Sequence, residues 1–250
     1  MVKCSQLAIT LPFPMISKRI DSLVELTKWP AAFLAVLTLP LTFFAWWKLI
    51  YQVQTYPGYS LLFVMGVGFF VLLVRTTLAQ TGFARRLVEL ERNLTQSVLA
   101  FAMLHPVIGY GAGYGANQNQ GSPVRWLGRG NWVMLAAPYF VPTATIILWL
   151  VSLILFQSLR CLVLGFGISY HITAVAIQCR TGTSEVRRLG RKFCWMFLPA
   201  ANFLVAGLVA AYALNGFSGI GDFLYDWSGL PRMFLSWFWE LAVPGATSNV

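Results

Sequence analysis

The chain has 250 residues, of which 58% are apolar, 15% are aromatic and only 10% are charged. Soluble domains carry about a quarter charged residues, so this composition excludes an ordinary soluble protein and predicts an integral membrane protein. The formal net charge of +10 does not indicate nucleic-acid binding, because no binding motif accompanies it and many basic residues lie beside apolar runs, where they meet anionic lipid head groups.

Residues 1–29 predict an interfacial amphipathic helix. Ile16, Ile20 and Leu23 share one helical face, whereas most of the charged residues fall elsewhere. Lys18 and Arg19 follow the first apolar run without a small-residue cleavage site, so we expect no cleaved signal peptide.

Residues 30–78 predict a transmembrane hairpin. Its first span runs from about Pro30 to Tyr51 and its second from about Tyr59 to Leu78. Both stretches are close to the roughly 20 apolar residues that cross a bilayer as a helix. An uncharged turn joins them.

Residues 79–214 predict a membrane core that begins irregularly. The stretch from Gly82 to Leu104 starts charged and ends apolar, which is typical of a helix entering the membrane at a slant. Residues 105–131 are rich in glycine and polar side chains, so they predict a re-entrant segment whose backbone is shielded by protein or water.

Three further spans are predicted in this core, at about Trp132–Phe156, Cys161–Gln178 and Phe193–Leu214. Pro138 and Pro142 should bend the first of them. Residues 215–250 mix aromatic and acidic side chains and predict a tail lying along the interface.

The distribution of positive charge predicts the orientation. Cys179 to Lys192 is the most basic stretch, and placing both it and Arg85 to Arg92 in the cytoplasm requires the slanted helix to return to the side it left. With the N-terminus cytoplasmic, the fold class is an all-α integral membrane protein with about five transmembrane helices and a Gly-rich re-entrant segment. If the slanted helix crosses fully, the count becomes six and the second basic loop falls outside.

Two phrases of the sequence carry a resemblance to a known family. LERNLTQSVLAFAMLHPVIGYGAGYG and LGRGNWVMLAAPYFVPTATIILWL resemble membrane zinc metalloproteases of the site-two-protease type, in particular small bacterial members. In those proteins a helix with a HELTHAL-like motif leads into a Gly-rich re-entrant loop, and a phrase like RPNWLIALAPYFFPT opens the next span. The resemblance covers roughly residues 85–214, is most specific at APYFVPT, and implies a bacterial inner (cytoplasmic) membrane location.

The catalytic motif is where the chain departs from that family. Arg92, Asn93 and Gln96 stand where the family has His, Glu and His, so the run Arg92-Asn93-Leu94-Thr95-Gln96 replaces HExxH. Two neutral imidazoles at i and i+4 hold Zn²⁺, and the adjacent Glu acts as general base on the metal-bound water. Because Arg92 would repel a dication and the two amides cannot accept a proton, we expect no enzyme activity and no cofactor.

Weaker metal-ligand candidates remain elsewhere. Glu185 falls near a position where the family carries an acidic residue that could act as a third ligand, and His105 and His171 are the chain's two histidines. The cysteines form no CxxC pair with zinc-binding spacing. A lone histidine in a membrane helix is more often a hydrogen-bonded structural residue than a ligand.

The favoured function is therefore a non-catalytic, pseudoprotease-like transmembrane subunit that binds or scaffolds partners in a larger membrane protein complex. Its expected partners are membrane lipids and other integral membrane subunits, with no nucleic acid. Two alternatives stay open. One is an active but atypical membrane zinc metalloprotease, and the other is a pigment-, quinone- or lipid-binding membrane protein that uses the aromatic faces of its spans.

Overall fold

The computed structural model describes residues 13–53, 57–73, 82–105, 107–110, 124–126, 130–181 and 184–229. This part of the chain is helical apart from one short antiparallel ribbon, so the predicted helical class is confirmed. Three of the described helices are long and apolar enough to cross a membrane, or four if one bent pair counts as a single span. Membrane localisation is consistent with these helices.

The elements follow in chain order. The helices are α1 (Phe13–Leu26), α2 (Lys28–Val53), α3 (Pro57–Leu73), α4 (Gly82–Ala102), α5 (Trp132–Ala136), α6 (Thr143–Ser152), α7 (Gln157–Thr181), α8 (Ser184–Leu189) and α9 (Arg191–Trp227), and the strands are β1 (Val107–Tyr110) and β2 (Val124–Trp126). The candidate spans are α2, α7 and α9, with α5 and α6 as the bent pair. The ribbon lies inside the predicted re-entrant segment, most of which is outside the described residues.

The bend predicted from prolines is present between α5 and α6. The two helices meet at 58° across a 3-10 turn, Ala137–Tyr139. Pro138 lies in that turn, and Pro142 directly precedes the first residue of α6. Proline lacks the N–H that continues a helix, which accounts for the break.

Helices α3 and α7 meet backbone to backbone. A Cβ atom at Gly66 would lie 2.2 Å from the Leu162 carbonyl oxygen, and one at Gly165 would lie 2.2 Å from the Phe63 carbonyl oxygen. Glycine at both positions is therefore required for this approach, as in small-residue packing between membrane helices. Helix α3 has 17 residues, covers residues 59–73 of the predicted second span and is not among the candidate spans, while residues 74–78 of that prediction lie outside the described residues.

Helix α9 is two arms joined by a reversal. Gly216 has φ 65° and ψ −146°, a backbone conformation that interrupts the helix and that side chains disfavour. After it the chain turns back, so that Gly219 lies against the Ala211 carbonyl and the Phe223 ring lies against Gly207. The helix thus continues past the predicted boundary at 214, and residues 217–227, which were assigned to the interfacial tail, pack on the first arm. The rest of that tail, 230–250, lies outside the described residues.

The ends of the long helices lie at two opposite levels of the structure. At one of them, which we call the basic end, α1 and α8 adjoin the first residues of α2, α5 and α9, and the Lys28 ammonium lies 5.5 Å from the centre of the Phe193 ring. At the opposite end, the Gln157 side-chain amide donates to the Leu214 carbonyl. His171, about four turns further along α7 at 3.6 residues per turn, pairs with Asn202 on α9, so these two helices run antiparallel.

Candidate functional site

Helix α4 carries Arg92, Asn93 and Gln96, the positions that the sequence comparison set against HExxH, and it contacts the start of α6. Helix α6 begins directly after Pro142. As at the start of any helix, its first N–H groups have no backbone partner one turn earlier. The Ala144 amide donates to the Glu91 carboxylate at 2.9 Å, and the Thr95 and Thr143 hydroxyls share a hydrogen bond. A carboxylate at a helix N-terminus also interacts favourably with the helix dipole.

The structure brings two of the predicted site residues together as an ion pair. Arg92 Nη1 lies 3.8 Å from Glu185 Oε1, with the Arg92 side chain 17% exposed and that of Glu185 1% exposed. Arg92 occupies the first motif position, and Glu185 was the candidate third ligand. The positive charge at this place is therefore supplied by the protein itself.

The other two motif positions hold amides. Gln96 is fully buried, whereas Asn93 is half-buried and its side-chain oxygen has no hydrogen-bond partner among the described residues. An amide oxygen is a weak ligand for Zn²⁺, which prefers thiolate, imidazole and carboxylate groups. Neither residue supplies a general base.

His105 connects α4 to α1 and α5. Its Nε2 donates to Asp21 Oδ1 at 2.9 Å, and the Asn131 side-chain amide donates to the same oxygen at 3.0 Å. The Asn131 side-chain oxygen in turn accepts from the Met134 amide at 3.1 Å and caps α5. His105 is 1% exposed, so its contacts are those of a structural histidine.

His171 is held in a separate network inside the helical bundle. Asn202 donates through Nδ2 to the carbonyls of Tyr139 and Leu198, both at 2.8 Å. Its oxygen is therefore the acceptor for His171 Nε2, 3.0 Å away, which fixes the proton on that nitrogen. The network ties α7 and α9 to the turn that precedes α6.

The three weak metal candidates do not form one site. His105 is paired with Asp21, His171 with Asn202 and Glu185 with Arg92. Within the described ranges, no group of three His, Cys, Asp or Glu side chains is placed to hold a metal ion. The described cysteines are free thiols.

A cavity of about 260 Å³ lies between α4, α6 and α7. Apolar side chains line most of it, and Glu91 and Tyr170 also reach its wall. Burial raises the pKa of the Glu91 carboxyl, and the Ala144 amide opposes this by stabilising the carboxylate. Tyr170 lies beside Glu91, but its hydroxyl makes no well-formed hydrogen bond with any described residue.

Sequence reasoning missed the residues that hold the two histidines. Asp21 could not be distinguished from the solvated charges on the polar face of α1. Asn202 did carry a signal, since it is a lone amide within the apolar run Phe193–Leu214, and such residues usually face the interior of a bundle.

No protein-family model, curated protein or solved structure matches the chain.

Proposed function

We propose that this chain is a non-catalytic, pseudoprotease-like transmembrane subunit that binds or scaffolds partners in a larger membrane protein complex of the bacterial inner membrane. The observation that carries the proposal is the ion pair between Arg92 and Glu185. It lies where the metalloprotease resemblance would put zinc and its ligands.

The chemistry of that place supports a site without catalysis. Zinc hydrolysis needs a metal that lowers the pKa of bound water and a base that takes up its proton. The Arg92 guanidinium repels a dication and already neutralises the carboxylate of Glu185. Asn93, at the position of the base, has no group that titrates.

The contacts of α4 support a re-entrant arrangement and five spans. Arg92 near its middle pairs with Glu185 on α8, and His105 just after its end pairs with Asp21 on α1. Both partners belong to the basic end, which supports an α4 that leaves and returns on one side. The positive-inside rule supports a cytoplasmic position for this end and for the N-terminus.

An exposed apolar stripe on α4 supports the partner-binding role. Leu90, Leu94, Val98 and Phe101 recur at helical spacing, with exposed fractions of 63%, 41%, 58% and 82%. Because α4 is not among the candidate spans, this stripe is surface beyond what a transmembrane helix exposes to lipid. It suits lipid at the interface or another subunit.

The test is native mass spectrometry of the protein mildly solubilised from its own membrane, with zinc measured by elemental analysis in the same sample. We expect partner masses bound to the chain and no stoichiometric zinc. About one zinc per isolated chain would instead support the atypical metalloprotease. A co-purifying chromophore or quinone on an isolated chain would support the cofactor-binding alternative.

A further inference from the structure

The second arm of α9 runs back beside α2, one of the candidate spans. Its Phe223 packs with Leu49 of α2 and with Ala211 and Leu214 of the first arm. One turn later, Trp227 donates through Nε1 to the Thr42 hydroxyl of α2 at 3.1 Å. The arm therefore follows α2 back towards the middle of that helix.

The depth of the arm follows from these contacts. Helix α2 is apolar enough to span the membrane from Lys28 to Tyr51. Leu49 clusters with Leu214, so the reversal at Gly216 is level with the end of this span. Thr42 precedes Tyr51 by nine residues, which is roughly 13 Å along a helix axis at 1.5 Å per residue.

Two carboxylates lie on this arm. Asp226 is next to Trp227, at the level of Thr42, and Asp222 is one turn nearer the reversal. Asp222 and Asp226 are four residues apart, so they share one face of the helix, while Phe223 and Trp227 face inward. Asp222 is exposed and Asp226 is half-buried. Tyr225, 65% exposed, lies beside Asp222 on the outward surface, whereas Phe217 and Leu224, exposed at 64% and 43%, lie on the other flank of the arm.

Neither carboxylate has a cationic partner in the part of the chain that the structure describes. The ion pairs there join Lys28 to Glu25, Arg92 to Glu185 and His105 to Asp21. An aspartate side chain is too short to reach the head groups from the depth of Asp226. Ionisable residues inside a membrane pair with one another or face water, because isolation in hydrocarbon is costly.

We propose that the flank of this arm that carries Asp222 and Asp226, together with Tyr225 beside it, docks a transmembrane segment of a partner subunit that has a lysine or arginine within its apolar stretch. The inference rests on the proposed function, since it assumes that the chain is a subunit of a complex. Charge complementarity at membrane depth selects the partner, and the apolar surround supplies the contact area.

The test places a photoreactive p-benzoylphenylalanine at Tyr225 of the full chain in its native membrane. We expect the cross-linked peptide to come from another protein and to contain a Lys or Arg inside an apolar segment. Cross-links only to lipid, to residues 230–250 of this chain, or to a partner peptide without a basic residue would overturn the proposal.

A charge variant completes the test. In the same photoreactive protein, Asp222→Asn with Asp226→Asn should lower the partner adduct at least tenfold, whereas the double Glu variant should keep it. Glu89→Gln, an exposed carboxylate on α4, is the matched control and should leave the adduct unchanged. If the Asn variant cross-links as before, the proposed docking face is incorrect, while the proposal that the chain belongs to a complex is unaffected. If native mass spectrometry finds no partner in the unmodified protein, the proposed function fails first.

Discussion

The Arg92–Glu185 pair brings two charges into the protein interior, and the two side chains are buried to different extents. Glu185 is almost completely buried, while Arg92 keeps some contact with its surroundings. A buried ion pair gives little net stability, but removal of one partner leaves the other uncompensated and is strongly destabilising. The pair therefore constrains sequence changes at both positions even if it takes no part in catalysis.

The stability prediction concerns Arg92→Met. We expect it to lower the free energy of unfolding by about 3 kcal/mol, since it leaves Glu185 buried without its cation. Adding Glu185→Gln should recover most of that loss. The measurement is thermal unfolding in detergent, with Arg187→Met on the exposed side of α8 as a control that stays within about 0.5 kcal/mol of the native protein. Equal losses for the control and for Arg92→Met would contradict the pairing.

The metal prediction concerns the combined variant Arg92→His, Asn93→Glu and Gln96→His. It places two imidazoles at i and i+4 on α4 and removes the Arg92 guanidinium that faces Glu185, so we expect Glu185 to act as a further ligand. We expect about one zinc per chain by elemental analysis. A parallel variant that also carries Glu185→Gln should bind zinc more weakly. A folded triple variant with no more zinc than the native protein would refute the motif alignment.

At the scale of elements, the contact of α3 with α7 depends on the absence of two side chains. Gly66 and Gly165 let the two backbones approach, and Phe70 then meets the rings of Phe166 and Tyr170 edge to face. Between helices in lipid the hydrophobic effect gives no driving force, so van der Waals contacts at such close crossings stabilise the pair instead.

The packing prediction compares two glycines of one helix. Gly66→Ala should destabilise the protein by about 1 to 3 kcal/mol, because its Cβ would overlap the Leu162 carbonyl oxygen and force the helices apart. Gly68→Ala is the matched control. Its Cβ would meet nothing within 4 Å, so it should be neutral or slightly stabilising. Similar thermal midpoints for the two variants would show that α3 does not pack this way.

The elements were predictable where the sequence signal is local. Long apolar runs identified α2, α7 and the first arm of α9, and Pro138 and Pro142 identified the bend before α6. The reversal at Gly216 was not predicted, because the residues on both sides remain helical and only the backbone of one glycine differs. The approach of Gly66 to Gly165 joins residues far apart in the chain, so neither glycine alone indicates it.

The whole molecule is organised by the difference between its two ends. The basic end gathers α1, α8 and the contacts of α4, whereas the opposite end holds the Gln157–Leu214 contact and the reversal at Gly216. The candidate site belongs to the basic end. The sequence drew attention to Arg92 and to Glu185 separately, but their pairing depends on how α4 meets α8, which no local pattern encodes.

The topology prediction uses single cysteines and a membrane-impermeant maleimide on sealed vesicles. Cys4 and Cys179 are first replaced by Ser, while Cys161 and Cys194 can stay because they are buried. Arg188→Cys and Leu104→Cys should be labelled from the same side, because the proposed re-entrant arrangement returns α4 to the basic end. Ser218→Cys should be labelled from the other. Labelling of Leu104→Cys together with Ser218→Cys would mean that α4 crosses and that there are six spans.

The glycine crossing also sets the order in which the protein can be assembled. Gly66 is translated long before Gly165, and at about 5 to 20 residues per second the roughly 100 intervening residues take some 5 to 20 s. Throughout that interval α3 lacks α7, the helix that covers its glycine groove. Newly made chains would depend during those seconds on lipid, α2 or an insertion factor to keep the groove from pairing with the α3 of another copy.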